Sequence, residues 1–300
     1  GANYGTDGQV LTSGGAGAAP AWEDAAGGLT AKQEGTNFTN SLLVGHATSG
    51  TLNAATYNTG VGIDTLDALT SGDNNTAIGA GAGSAITSSS QNTVVGTFAA
   101  PALATGAGYN SYIGYGTGLY NPSGTYNTII GAQAGFGASG QTYDYNSSLG
   151  FQSLYGATTG DYNIALGQKA GNNITSGSGN VVIGYADVSS ATGDDQLSIS
   201  DGEDGAVVWM TGDSSAKLTF PGALQVSGAV TVGVDDTGLD VKLFGASAGA
   251  YMEWDESIDT LRIVGASADA TTSTGKLLLA TSLTDINASD VIGKIDFQAP

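Results

Sequence analysis

A five-residue pattern, Asn-x-x-aliphatic-Gly, recurs along the middle of the chain. Eight copies run from Asn58–Gly62 to Asn180–Gly184, and a degenerate first copy ends at Gly45 with Ser41 in the asparagine position. The glycines lie 17 to 19 residues apart, at Gly45, Gly62, Gly79, Gly96, Gly114, Gly131, Gly150, Gly167 and Gly184. A unit of this length cannot bury a core alone, so successive copies must stack on one another.

The apolar period within each copy is two residues, which indicates a short strand. Gly, Thr, Ser and Asn fill most other positions and disfavour helix. The repeats therefore predict an all-β fold, a β-solenoid or β-roll of about 17 residues per coil with coils about 4.8 Å apart. The aliphatic residues before the glycines are expected to point inward as one ladder: Val44, Val61, Ile78, Val95, Ile113, Ile130, Leu149, Leu166 and Ile183. The repeat asparagines are expected to form a second structural ladder: Asn75, Asn92, Asn110, Asn127, Asn146, Asn163 and Asn180.

The residues between these positions are mixed in character and are expected on the opposite face of the strand. They include Ala77, Val94, Tyr112, Ile129, Ser148, Ala165 and Val182. A monomer would leave this face uncovered, and large exposed apolar patches are uncommon. Association of three chains is the economical way to cover it, so we expect a homotrimer.

The charge balance excludes several partners. The 300 residues carry 27 acidic and 7 basic side chains, a formal net charge of −20. Nucleic acids and anionic membrane surfaces require clustered Lys and Arg, so neither is an expected partner. There is no cysteine, which rules out disulfides and thiolate metal sites. No apolar run is long enough to span a membrane.

Candidates for catalysis and cofactor binding are few. The only histidine, His46, has no cysteine and no serine-centred elbow motif to pair with and is expected to be an exposed turn residue. A glycosidase pair is conceivable among the crowded carboxylates Glu253, Asp255, Glu256 and Asp259, although crowding says nothing of the required separation. Acidic turns at Asp194-Asp195 and Asp201–Gly205 offer oxygen ligands but lack EF-hand spacing. We therefore expect no enzyme activity, no cofactor and no bound metal.

An aromatic column accompanies the repeat. The residue before the asparagine is tyrosine in five coils, at Tyr57, Tyr109, Tyr126, Tyr145 and Tyr162, and the last four are consecutive. Stacked coils would place these rings along one edge. They could stack on one another or in a groove between chains as a structural element. Alternatively, Tyr109, Tyr126, Tyr145 and Tyr162 could form a receptor-binding platform for sugar rings.

Composition divides the chain into three parts. Residues 1–36 are a collar or linker, residues 37–190 the nine-coil repeat domain, and residues 191–300 a β-stranded, trimeric shaft. The last residues, Ile295–Pro300, read as the exit of a strand, so the shaft is expected to continue in a longer protein.

Four parts of the chain resemble known fibrous proteins. The Asn-x-x-Ile-Gly repeats resemble the left-handed β-roll heads of trimeric autotransporter adhesins and head-like repeats of bacteriophage tail fibres. The segments Gly5–Trp22, Asp235–Gly245 and Tyr251–Ser257 are similar to short modules of phage tail-fibre proteins. The resemblance implies a homotrimeric virion protein that contacts other tail proteins and a saccharide or protein receptor on the host. A bacterial surface adhesin is the alternative, and a polysaccharide depolymerase is a distant third.

Overall fold

The computed structural model describes residues 9–12, 21–24, 31–35, 37–45, 51–232, 240–258, 260–266, 275 and 277. These residues hold nineteen β-strands and one 3-10 turn, Glu256–Ile258, which confirms the all-β prediction. The chain divides into two compact units, Gly1–Leu224 and Gln225–Pro300. His46 and Asp259, both considered above, lie outside the described residues.

The first unit begins with three short strands, β1 (Gln9–Thr12), β2 (Ala21–Asp24) and β3 (Ala31–Gly35), followed by β4 (Phe38–Val44) and β5 (Ala55–Thr56). One three-residue strand then opens each coil: β6 (Thr59–Val61), β7 (Thr76–Ile78), β8 (Thr93–Val95), β9 (Ser111–Ile113), β10 (Thr128–Ile130), β11 (Ser147–Leu149), β12 (Ile164–Leu166) and β13 (Val181–Ile183). The unit ends with β14 (Leu197–Ser200), β15 (Val208–Gly212) and β16 (Leu218–Thr219).

Strands β4 and β6–β13 form one continuous parallel sheet in which each repeat pairs with the next. The register joins equivalent positions, so that Thr128 pairs with Ser111 on one side and Ser147 on the other. The predicted stacking of successive repeats into a β-solenoid of about nine turns is confirmed. Each sequence repeat is therefore displaced from the preceding one by one strand spacing along the stack.

The sheet extends beyond the predicted repeat domain at both ends. Strand β3 pairs antiparallel with β4, although it lies within the predicted collar. At the other end β14 continues the parallel stack on β13, and β15 and β16 add antiparallel strands. The sheet therefore does not end at residue 190, because Gln196 takes the place of the repeat asparagine and supports one more rung.

The predicted inward face of the coil strands is wrong. The middle residue of each strand is buried, as Val94, Tyr112, Ile129 and Val182 show, whereas the aliphatic residue before the glycine is exposed or half-buried. The ladder Val44, Val61, Ile78, Val95, Ile113, Ile130, Leu149, Leu166 and Ile183 does align in register, but on the outside of the sheet. The buried asparagine two residues before the middle residue explains this choice, because both lie on one face of an extended chain.

Two further columns complete the core. Three residues after seven of the nine repeat glycines lies a small buried residue: Thr65, Ala82, Ala99, Thr117, Ala134, Ser153 and Ala170. Larger buried residues, among them Leu69, Ile86, Leu103 and Ile174, fill the opposite side of the coil. The large ring of Tyr112 occupies the space that a side chain on Gly118 would need, since a Cβ there would lie 2.5 Å from the ring.

Glycine ends every coil strand for a steric reason. These glycines have φ between +96° and +151°, a region that L-residues rarely adopt. A Cβ on Gly131 would also lie 2.2 Å from the carbonyl oxygen of Gly150 in the next coil. Any side chain would force neighbouring coils apart, so the glycine column is a condition for stacking.

The second unit contains a three-stranded antiparallel sheet, β17 (Val241–Phe244), β18 (Tyr251–Asp255) and β19 (Thr260–Val264). The Glu253 carboxylate lies largely buried between two cations. Lys242 Nζ is 2.8 Å from Oε1 and Arg262 Nη1 is 3.2 Å from Oε2. Bonding to Glu253 raises the pKa of Lys242. The three strands of this sheet are thus joined by a cross-strand charge cluster.

Candidate functional site

The asparagine ladder fixes the beginning of every coil strand. The backbone N–H of Asn146 donates to Oδ1 of Asn127 at 3.0 Å, and Asn127 in turn donates its N–H to Oδ1 of Asn110 at 3.0 Å. The Asn127 Nδ2 group donates to the carbonyl oxygen of Tyr143, 16 residues on, at 3.0 Å and so closes its own coil. An amide is the one short side chain that offers both an acceptor and two donors here. The predicted structural ladder of asparagines is therefore fully buried and hydrogen-bonded.

Other residues occupy the asparagine position at the two ends of the ladder. Ser41 Oγ accepts the N–H of Asn58 at 2.8 Å, so the degenerate first copy keeps the acceptor. Gln196 donates its N–H to Asn180 Oδ1 at 2.9 Å and extends the ladder into β14. The rigid buried column sets the position of the residue just before it, where the tyrosines lie.

The residue just before the repeat asparagine has a left-handed backbone conformation in every coil. Its φ is near +51° to +71° at Asn40, Tyr57, Asn74, Gln91, Tyr109, Tyr126, Tyr145, Tyr162, Gly179 and Asp195. Gly and Asn adopt this conformation most easily, whereas other L-residues lose roughly 1–2 kcal/mol. Tyrosine at five of these positions is therefore conformationally unfavourable, and its recurrence requires a gain from the ring.

Four of the rings form a continuous stack. Ring centroids are 4.9 Å apart for Tyr109 and Tyr126, 4.9 Å for Tyr126 and Tyr145, and 4.8 Å for Tyr145 and Tyr162, with interplanar angles of 4° to 11°. This is the spacing of the strands themselves. Each stacked pair contributes roughly 0.5–1.5 kcal/mol, which offsets part of the backbone cost. The four tyrosines remain 43–60% exposed.

The stack decides which ring faces are open to a ligand. Both faces of Tyr126 and of Tyr145 are covered by neighbouring rings. Tyr109 and Tyr162, at the two ends, each have one face that no other ladder ring covers. A platform on which sugars lie flat on all four rings, as the sequence suggested, is therefore not available. The fifth tyrosine, Tyr57, stands apart between Asn40 and Asn74.

Sequence reasoning missed a second aromatic cluster. Phe136 stacks on Tyr155 at 4.8 Å and meets Tyr120 edge-on at 5.2 Å. These residues lie five or six positions after the glycines of three successive coils, so the alignment of the repeats contained the signal. The cluster is part of the same solenoid but on the turn that follows the strand.

The outer face of the coil sheet carries an aliphatic column along its length. We call the aliphatic column that precedes the glycines the outer stripe: Val61, Ile78, Val95, Ile113, Ile130, Leu149, Leu166 and Ile183. Several of its members are strongly exposed, Leu149 at 49% and Leu166 at 46%. A parallel column of Thr and Ser, with Ile164 and Val181, runs beside it.

The carboxylates considered above serve local structure. Glu253 is bonded to Lys242 and Arg262, and Asp255 lies 3.7 Å from Arg262. Asp201 accepts four backbone N–H groups, from Glu203, Asp204, Gly205 and Val207, at 2.7–3.2 Å. These bonds lower its pKa. Among the described residues, no three His, Cys, Asp or Glu side chains gather closely enough to hold a metal ion.

Two phenols are buried inside the coils. Asn121 Nδ2 donates to the Tyr112 hydroxyl at 3.0 Å, and the Tyr143 hydroxyl donates to the carbonyl oxygen of Gly135. Burial raises the pKa of Tyr112 and of Tyr143 well above the ordinary value of 10.0. Both groups are neutral core residues, and Tyr143 fills the interior where the longest coil insertion occurs.

The described part of the chain contains no helix with the length and apolar character needed to cross a bilayer. Comparison with protein families, with curated protein sequences and with solved structures gave no match to this chain.

Proposed function

We propose that the chain is a non-catalytic segment of a homotrimeric attachment fibre, of the kind carried on a bacteriophage tail. The observation that carries the proposal is the outer stripe, an apolar column that follows the stacked coils. At about 4.8 Å per strand it is about 34 Å long. Monomeric proteins rarely leave a continuous apolar surface of this size exposed.

The occupant we propose for the outer stripe is a second and a third copy of this chain. Their stripes would meet in register, because all copies share the same spacing between coils. The resemblance of the repeats to trimeric fibres and adhesin heads favours three chains. Parallel stacking of coils also suits a fibre, since length is gained by adding repeats and each coil contacts only its neighbours.

Light scattering after size-exclusion chromatography tests the assembly. We expect a mass three times that of the 29.6 kDa chain. The double variant Leu149→Asp with Leu166→Asp should give a folded monomer, because charges would enter the stripe without partners. Thr159→Asp, in a turn away from the stripe, is the control and should remain trimeric. A wild-type mass equal to that of a single chain would refute the proposal.

Attachment is tested separately with labelled protein on bacterial cells. A fibre segment should be retained by cells of a susceptible strain and released by soluble surface polysaccharide. Reducing ends set free from that polysaccharide would instead indicate a depolymerase. A membrane anchor encoded downstream of Pro300 would identify the bacterial adhesin.

A further inference from the structure

The open end of the tyrosine stack lies beside a groove. The groove has a volume of about 310 Å³ and is lined by Tyr109 and Tyr126, by the hydroxyl-bearing Ser88, Ser90 and Thr125, by Gln91, and by Gly106, Ala107 and Gly108. No charged side chain lines it. It combines two aromatic rings with several neutral hydrogen-bonding groups, which together can orient a small polar ligand.

The groove exists because one coil lacks a side chain. In the coils around it, the residue two before the asparagine accepts a backbone N–H from the preceding coil, as when Ser90 Oγ accepts Asp73 N–H at 2.9 Å and Asp144 Oδ1 accepts Thr125 N–H at 2.6 Å. Gly108 interrupts this column. The N–H of Ser90 turns to the carbonyl oxygen of Ala107 at 3.3 Å instead. A space is left next to the Tyr109 ring.

Several polar groups around this space have unused hydrogen-bonding capacity. Within the described part of the chain, the Gln91 amide group and the Ser88 hydroxyl make no hydrogen bond, and the Ser90 hydroxyl oxygen serves only as an acceptor. Gly106 borders open space, with no atom within 4 Å of a would-be Cβ. Among the described residues, no aromatic ring covers the outer side of Tyr109, where the next member of the column is Gln91, and donors and acceptors surround that side of the ring.

We propose that this groove binds a neutral pyranose sugar, which stacks on the outer face of Tyr109 and hydrogen-bonds to Gln91, Ser88 and Ser90. The inference rests on the proposed attachment function and gives it a site and a ligand class. Anionic sugars are disfavoured, since the lining holds no cation and the chain has a net charge of −20. The proposed site lies at the end of the tyrosine stack, and the rings inside the stack are not part of the sugar contact.

Saturation-transfer NMR with the full chain tests the site. The probes are the methyl glycosides of glucose, galactose and mannose, N-acetylglucosamine, and glucuronate as the charged counterpart. We expect a signal from at least one neutral probe and none from glucuronate. No neutral signal, or a signal from glucuronate alone, would overturn the proposal.

Two asparagine variants locate the signal. Tyr109→Asn removes the open ring and suits the left-handed backbone, as Asn74 does in another coil; it should weaken binding about tenfold or more. Tyr145→Asn is the matched control inside the stack and should bind as the wild type does. Tyr109→Phe should retain binding through its ring.

Equal weakening by Tyr109→Asn and Tyr145→Asn would assign the effect to the stack and contradict the groove. The chain's mass under the same conditions separates this result from the assembly test. If the wild-type protein is a trimer but binds no sugar, only the proposed sugar site is refuted. If it is a monomer that binds sugar, only the proposed fibre assembly is refuted.

Discussion

Adjacent isoleucines in β10 provide the sharpest test of which face of the coil is buried. Ile129 is fully buried between Tyr112 and Ser148 of the neighbouring strands, whereas Ile130 is only half-buried. A Cβ on Gly135 would come within 3.1 Å of an Ile129 methyl group, which shows how closely the side chain is packed. The same substitution, to alanine, can be made at both positions.

Ile129→Ala removes buried carbons and leaves a cavity that rigid coils cannot fill, so we expect a loss of about 3 kcal/mol. Ile130→Ala removes the same carbons from a half-exposed site, and a loss of about 1 kcal/mol follows from its smaller burial. For a unit of this size, each kcal/mol corresponds to roughly 2–4 °C in Tm.

Thermal unfolding of the full chain, followed by circular dichroism, measures both. We expect a fall of about 6–12 °C for Ile129→Ala and about 2–4 °C for Ile130→Ala. If Ile130 is covered by another chain in the trimer, its effect will grow with protein concentration while that of Ile129 will not. A larger effect of Ile130→Ala that is independent of concentration would show that the buried face is assigned wrongly.

The remaining predictions concern the columns and the titrating groups. Gly131→Ala should destabilise the chain by about 3 kcal/mol or more, because the new Cβ combines backbone strain with a clash against Gly150. The control Gly140→Ala has positive φ but open space around it and should lose only about 1 kcal/mol. Equal urea midpoints for the two variants would contradict the steric account. Asn127→Leu should lose about 3 kcal/mol, since it leaves the buried N–H of Asn146 without an acceptor and removes one of the two amide donors to the carbonyl group of Tyr143. A native-like hydrogen-exchange pattern would refute this. Because the pKa of Asp201 is lowered in the fold, its contribution to stability is present above pH 3.8 and is lost as the pH falls below that value. Carbon NMR of its carboxyl group should give a pKa under 3.8, and an ordinary value would count against the four N–H bonds. The raised pKa of Tyr112 and Tyr143 means that their contribution is present below pH 10 and is lost as the pH rises further, so absorbance at the phenolate band should show two tyrosines that ionise only on unfolding.

The tyrosine stack was visible in the sequence, because ring position followed directly from the repeat. What the rings can bind was not. The neighbouring rings of the stack cover both faces of Tyr126 and of Tyr145. Gly108 leaves a groove beside Tyr109, and residues of neighbouring coils line that groove with hydroxyl groups. These features depend on side chains that belong to neighbouring coils and meet only when the coils stack.

The period, the strands and the stacking all follow from the sequence, because a repeat with Asn and Gly at constant places admits few other folds. The inside and the outside of the coil do not follow from it. Both faces of the strand carry aliphatic residues, Val94 and Val95 in one coil and Ile129 and Ile130 in another, so alternation alone cannot distinguish them. Closure of the coil settles the choice, because the asparagine amide must point inward to bond the next coil and its own turn. The residue two positions later then follows the asparagine into the core.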